Sequence, residues 1–196
     1  MKIGGLQKFS LIDFPQKSSA IIFTQGCNFR CEYCHNPELV YYNLFKIPIP
    51  VEQIFSFLET RTKQLDAVVI TGGEPTYQPD LIDFIKKIKS MKYLIKLDTN
   101  GSNPEIIKKI IDEQLIDFIA MDIKATFDKY SYVSCVPVDI EKIKTSIEII
   151  KNSHIKFEFR TTYDRTKLLS TDIEKMKEFF TQDINYRIQH CNTIKH

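Results

Sequence analysis

Residues 66–90 read DAVVITGGEPTYQPDLIDFIKKIKS. Asp66 to Thr71 is a short run rich in β-branched residues, the pattern of a buried strand. Gly72-Gly73-Glu74-Pro75 interrupts it. From Leu81 to Ser90 the apolar residues recur at helical spacing. Strand, glycine turn and helix together make one β/α unit, and the unit repeats outward in both directions. On the N-terminal side, Ala20 to Thr24 (AIIFT) reads as a strand and Val51 to Lys63 as a helix, with Pro50 suited to its first turn. On the C-terminal side, Tyr93 to Asp98 (YLIKLD) is a strand, followed by a helix capped at Asn103 and running to Gln114. Strands at Phe118 to Ile123, Ile155 to Thr161 and Asn185 to Gln189 then alternate with helices at Ile140 to Lys151 and from Ser170 to about Phe180.

Six β/α alternations predict an α/β fold with a parallel sheet covered by helices. Six strands fall short of the eight of a closed (β/α)8 barrel. The expected architecture is therefore a partial, open (β/α)6 barrel. Residues 1–196 are expected to form one domain, with 1–18 as an N-terminal extension and 19–196 as the barrel. Lys124 to Asp139 is the longest stretch without a clear period and is expected to be mobile or to touch a partner.

The chain has 196 residues and a net charge of +2, too balanced to point to nucleic acid or a membrane surface. No apolar run approaches the roughly 20 residues of a membrane helix, and the start, Met1-Lys2-Ile3-Gly4-Gly5, lacks the apolar core of a signal peptide. A cytoplasmic protein is expected.

Three of the five cysteines, Cys27, Cys31 and Cys34, lie in the loop GCNFRCEYCHNP after the first strand. In a chain without export signals, C-x3-C-x2-C points to metal or catalysis rather than to a disulfide frame. Thiolates suit iron–sulfur clusters, zinc and copper(I). Three cysteines leave one iron of a four-iron cluster without a protein ligand and free to bind a small molecule. The alternative is structural zinc with His35 as fourth ligand, although adjacent residues such as Cys34 and His35 rarely aim at one metal. Cys135 and Cys191 read as isolated thiols.

The strand ends carry further polar groups. Gly72 and Gly73 leave the backbone bare for a ligand, at the face where β/α folds bind. Glu74 follows them. Asp98-Thr99-Asn100-Gly101 ends the third strand, and Asp122 and Lys124 end the fourth. Arg160 and Gln189 are similar candidates on the fifth and sixth. These groups could orient an amino-acid-like ligand or a cation. The plain alternatives are that Asp98 caps a turn, that Asp122 pairs with Lys124 and that Arg160 makes a surface salt bridge. His154, His190 and His196 show no ligand spacing, and no G-x-S-x-G elbow is present.

C-x3-C-x2-C with Tyr33 before the last cysteine, followed by Gly-Gly-Glu-Pro at the next strand end, resembles the radical S-adenosylmethionine (SAM) superfamily. SLIDFPQKSSAIIFTQGCNFRCEYCHNPEL, GGEPTYQPDL, LDTNG and MDIKA extend the likeness from residue 10 to about 126. They resemble the activating enzymes of glycyl radical enzymes, and among these most nearly the activators of anaerobic (class III) ribonucleoside-triphosphate reductases. The resemblance implies a partial (β/α)6 barrel in which Cys27, Cys31 and Cys34 hold a [4Fe–4S] cluster whose open iron chelates SAM. It implies Tyr33 and His35 at the adenine, Gly72, Gly73 and Glu74 at the methionine amino group, and Lys124 at the same end of the ligand. Asp98, Thr99 and Asp122 match positions that bind a monovalent cation in a relative. The implied chemistry is one-electron cleavage of SAM to methionine and a 5′-deoxyadenosyl radical, which takes hydrogen from a glycine of a partner enzyme. Reduced flavodoxin or ferredoxin is the implied electron donor.

Two departures stand out. Gln16 follows Pro15 where the family often has glycine, implying a different local turn, and Tyr77 replaces a smaller residue. Two other readings remain open. One is a small-molecule radical SAM enzyme such as a 7-carboxy-7-deazaguanine synthase-like protein, often with magnesium. The other is a zinc- or cluster-binding module without turnover, for which the Gly-Gly-Glu-Pro and Asp-x-Lys strand ends would have no use.

Overall fold

A computed structural model describes residues 1–180 and 185–190. Seven strands lie in one sheet in the order of the chain, β1-β2-β3-β4-β5-β6-β7. They are β1 (Ile3–Phe14), β2 (Lys17–Thr24), β3 (Ala67–Gly72), β4 (Leu94–Thr99), β5 (Phe118–Asp122), β6 (Lys156–Tyr163) and β7 (Tyr186–His190). From β2 to β7 every pairing is parallel, as the β/α repeat requires. The helices between them are α1 (Val51–Glu59), α2 (Leu81–Ser90), α3 (Pro104–Asp112), α4 (Tyr130–Ser134), α5 (Ile140–Lys151) and α6 (Ser170–Phe179).

The N-terminal segment read as an extension is instead a strand of the sheet. β1 runs antiparallel to β2, joined by Pro15 and Gln16. Its residues lack a clean period of two because the pairing is broken by register shifts between Ile3 and Gly5, Gln7 and Ser10, and Ser10 and Phe14. Gln16 adopts φ 60, the left-handed conformation that glycine takes without cost.

Successive strand residues point to opposite faces, and the two faces differ. Ile22, Val68, Ile70, Ile95, Leu97, Ile119, Met121 and Phe159 belong to the large core under the helices. Leu81, Phe84, Ile85 and Ile88 of α2 are buried there at the spacing of one helix face. The inner face begins with a small apolar plug, Phe14, Ile21, Ala67, Val69, Phe118 and Ala120. Above it, toward the strand ends, the same face turns charged, with Lys96, Asp98, Asp122, Glu158 and Arg160.

Three local expectations are corrected. The first helix ends at Glu59 rather than Lys63. The Asn103 side chain does not cap α3; its Nδ2 donates to the Thr76 carbonyl at 2.9 Å. The stretch from Lys124 to Asp139 contains α4, whose Tyr130 is fully buried and donates to the Asp122 carbonyl at 3.3 Å. At the far edge, Phe180 stacks on Tyr186 at 4.7 Å, and Tyr186 donates to Thr161 Oγ1 at 2.7 Å, which fixes β7 against β6.

Candidate functional site

The loop between β2 and α1 carries the three clustered cysteines, and local hydrogen bonds shape it. The Phe29 N–H points to Cys27 Sγ at 3.3 Å, and the Cys34 N–H donates to the Cys31 carbonyl at 3.1 Å. Arg30 Nη1 donates to the carbonyls of Cys27 and Phe29 at 2.6 and 2.8 Å. The Arg30 N–H donates to the Ser134 carbonyl at the end of α4, so that helix supports this loop. Lys167 reaches Glu32 from the far side at 2.6 Å.

The turn after β3 is pressed directly against the cysteine loop. The Gly73 N–H donates to Thr24 and the Glu74 N–H to Gly26, at 2.9 and 2.8 Å. A Cβ on Gly73 would stand 2.1 Å from the Gly26 carbonyl oxygen, and one on Gly72 2.3 Å from the Thr24 nitrogen. Gly72 also has φ +117. Both glycines are therefore required by the contact between two backbones.

Glu74 braces the same region. It is buried, and its Oε1 accepts from the Thr76 N–H (3.1 Å), Thr76 Oγ1 (2.6 Å) and Thr99 Oγ1 (2.7 Å). Its Oε2 accepts from the Asn100 N–H at 2.7 Å. Burial raises its pKa, and these donors oppose the rise. Asn100 also joins Asn28 and Ser102 in a polar clasp across the cysteine loop, with contacts of 2.8 Å.

These elements enclose a cavity of about 180 Å³. It is lined by Cys27, Cys31, Cys34, Tyr33 and His35 from the loop, by Gly72, Gly73 and Glu74 from the turn, and by Asp98, Thr99, Asp122, Lys124 and Arg160 from the strand ends. Gln189 is the exception among the residues singled out by sequence. It is exposed on β7, in register with Thr162, which does line the cavity. Cys135 is exposed at the end of α4, while Cys191 and His196 lie outside the described residues.

The charged wall is half-buried and paired. Arg160 Nε and Nη2 stand 3.0 and 2.9 Å from Asp122 Oδ1, and Nη2 also reaches Asp98 Oδ2 at 3.5 Å. Arg160 is thus part of an interior network and not a surface ion pair. Lys124 Nζ meets Asp122 Oδ2 at 3.1 Å. Burial would raise the Asp122 pKa, but Lys124 and Arg160 outweigh it and bring it down to about 2. Lys96 and Glu158 join the network and were not singled out by sequence. The available signal was a charge at alternate positions of otherwise apolar strands, YLIKLD and KFEFR.

The donor set fits a sulfur-ligated metal group with a ligand beside it. Three thiols edge one cavity, yet among the described residues no three His, Cys, Asp or Glu side chains converge as a single ion requires. Three thiols beside a ligand cavity suit a multi-iron group with one open iron, whereas a closed zinc centre takes four protein ligands. Burial and then the Glu74 charge push the Cys27 thiol up to about 12, and burial raises Cys31 as well. Both are neutral at pH 7 until a metal takes their protons. Tyr33 Oη is buried at the cavity without a hydrogen-bond partner among the described residues, an opening for a polar ligand, whereas Asp98 Oδ1 faces Lys96 Nζ at 3.1 Å.

Comparison with known proteins agrees with this chemistry. The radical SAM superfamily profile matches residues 21–180. A Methanocaldococcus jannaschii protein assigned as a glycyl-radical enzyme activating enzyme is 38% identical over 193 residues, covering 95% of this chain and 78% of its own length. A second protein of that organism with the same assignment is 30% identical over 191 residues, with coverages of 94% and 71%. The structure of Streptococcus suis SuiB bound to S-adenosylmethionine superposes with a TM-score of 0.64 at 18% identity, over 89% of this chain and 41% of SuiB. That likeness concerns the fold.

Proposed function

The chain belongs to the radical SAM superfamily, and from that premise we propose that it activates a glycyl radical enzyme, namely an anaerobic ribonucleotide reductase. Kinship with glycyl-radical enzyme activating enzymes supports the general activity. The choice of reductase rests on the SLIDFP lead-in and the CHNPEL loop. The observation that carries the reading is the meeting, at one cavity, of three thiols with a bare glycine backbone and a carboxylate–lysine–arginine wall. A structural metal module would need only the thiols.

Cys27, Cys31 and Cys34 would hold a [4Fe–4S] cluster, which when bound supplies the electron for reductive cleavage of SAM. The residues of the chain do the positioning. Gly72 and Gly73 expose backbone to the amino group of the ligand, and Glu74 holds that turn through its four donors. Lys124 and Arg160 face its carboxylate, with Asp98, Thr99 and Asp122 around them. Tyr33 and His35 border the adenine, and Gln189 stands at the open edge of β7, where a partner's glycine loop would enter. Holding the ligand rigidly matters because a misplaced radical reacts elsewhere. Reduced flavodoxin or ferredoxin serves as electron donor.

The test is anaerobic reconstitution with iron and sulfide, reduction, and incubation with SAM and the class III reductase of the same organism. The expected result is 5′-deoxyadenosine and a glycyl radical EPR signal on the reductase. SAM cleavage without a radical on the reductase would remove that partner, and intact SAM would remove the whole reading.

A further inference from the structure

We infer that this chain carries built-in counter-ions between Asp98 and Asp122, so that Lys96 and Arg160 replace the monovalent cation expected there from the resemblance. The inference rests on the reading of this cavity as the SAM site.

A cation site needs oxygens that converge and carry uncompensated charge. The ligands implied by the resemblance are Asp98, Thr99 and Asp122; all three line the cavity, but their oxygens are already answered by other groups. Thr99 follows Asp98 at the end of β4 and lines the same cavity. Its Oγ1 is already used, donating to Glu74 Oε1 at 2.7 Å and accepting from the Gly101 N–H at 3.1 Å.

The two carboxylates are bridged from within. One guanidinium spans them, with Arg160 Nη2 at 2.9 Å from Asp122 Oδ1 and 3.5 Å from Asp98 Oδ2. Lys124 covers the second oxygen of Asp122 at 3.1 Å. Lys96 Nζ covers Asp98 Oδ1, also at 3.1 Å. The Lys96 side chain is only 5% exposed and is anchored from below by the Asp13 carbonyl at 2.8 Å, contributed by β1. Glu158, 4.0 Å from Lys96, 3.7 Å from Arg160 and 3.8 Å from the exposed Arg187, completes a set in which four cations face three anions.

A metal ion entering this set would sit against an ammonium and a guanidinium, and repulsion at such range in a partly buried site is strong. Asp98 Oδ1 has the ion contact with Lys96 and no hydrogen bond among the described residues. It is therefore the oxygen at which a cation would compete, and Lys96 is the residue that prevents it.

The experiment compares potassium chloride with tetramethylammonium chloride at constant ionic strength. Thermal unfolding of the cluster-free chain is followed first, and SAM affinity of the reconstituted protein is then measured by anaerobic calorimetry. The expected result is the same unfolding midpoint in both salts and a SAM dissociation constant that differs by less than about twofold. In Lys96→Met, potassium should take the vacated place and tighten SAM binding by roughly tenfold, whereas Lys96→Arg should stay indifferent to the salt. A saturable rise of the wild-type midpoint or SAM affinity with potassium would overturn the inference. So would a folded Lys96→Met that ignores potassium. If Lys96→Met does not fold, the wild-type titrations decide. If the wild type binds SAM in neither salt, the SAM reading fails while the unfolding titration still decides the counter-ions.

Discussion

Thr99 Oγ1 donates a 2.7 Å hydrogen bond to Glu74 Oε1, and this contact ties the end of β4 to the turn after β3. Glu74 holds the turn that holds the cysteine loop, so a residue read from sequence as a ligand contact is also a structural brace.

Glu74→Gln tests the brace. A carboxylate offers two acceptor oxygens, whereas an amide offers one and turns donors toward donors. With four donors aimed at a buried group, the variant should lose about 2–3 kcal/mol of stability, read by denaturant titration of the cluster-free chain. A loss near zero would mean the donors are satisfied elsewhere.

Cys31→Ala should leave a folded β/α chain that no longer takes up a four-iron cluster. The side chain is small and the loop is supported independently through Arg30, Asn28 and Lys167. Iron and sulfide analysis after reconstitution, alongside circular dichroism, would show this. SAM cleavage surviving in the variant would displace Cys31 from the ligand set.

Gln16→Gly should stabilise the protein. Gln16 holds φ 60 at the β1–β2 turn, a conformation that costs an L-residue about 1 kcal/mol, partly offset by the greater freedom of glycine in the unfolded chain. A net gain of roughly 0.5 kcal/mol is expected, seen as a higher urea midpoint at unchanged slope. A lower midpoint would show that the Gln16 side chain contributes contacts worth more than the strain.

Acid should loosen the charged wall through Asp122. Its pKa lies below the unfolded value of 3.8, at about 2, so its stabilising contribution is complete above pH 4 and is lost as pH falls toward 2. The contribution is at most about 2 kcal/mol, reduced by water at a side chain 34% exposed. The stability of the cluster-free chain between pH 5 and 2 should therefore fall less steeply in Asp122→Asn than in the wild type. Equal slopes would mean that other carboxylates dominate.

What the sequence determined by itself is what local pattern encodes. Apolar runs such as DAVVIT and AIIFT, each followed by a helical period, dictate a β/α repeat and so a parallel sheet. Because that topology brings strand ends to one face, residues placed at or just after the ends of those runs were bound to meet: Cys27, Gly72, Asp98, Asp122 and Arg160 did. The tertiary structure decided what depends on distant partners. The first strand, irregular in register, is recognisable only beside β2. Gly73 is needed because Gly26 approaches it, and Asn103 serves Thr76 rather than its own helix. Lys96 and Glu158 look like ordinary surface charges until the curved sheet turns them inward. There, out of bulk water, each charge must be answered by another, and only the packed fold determines which one answers.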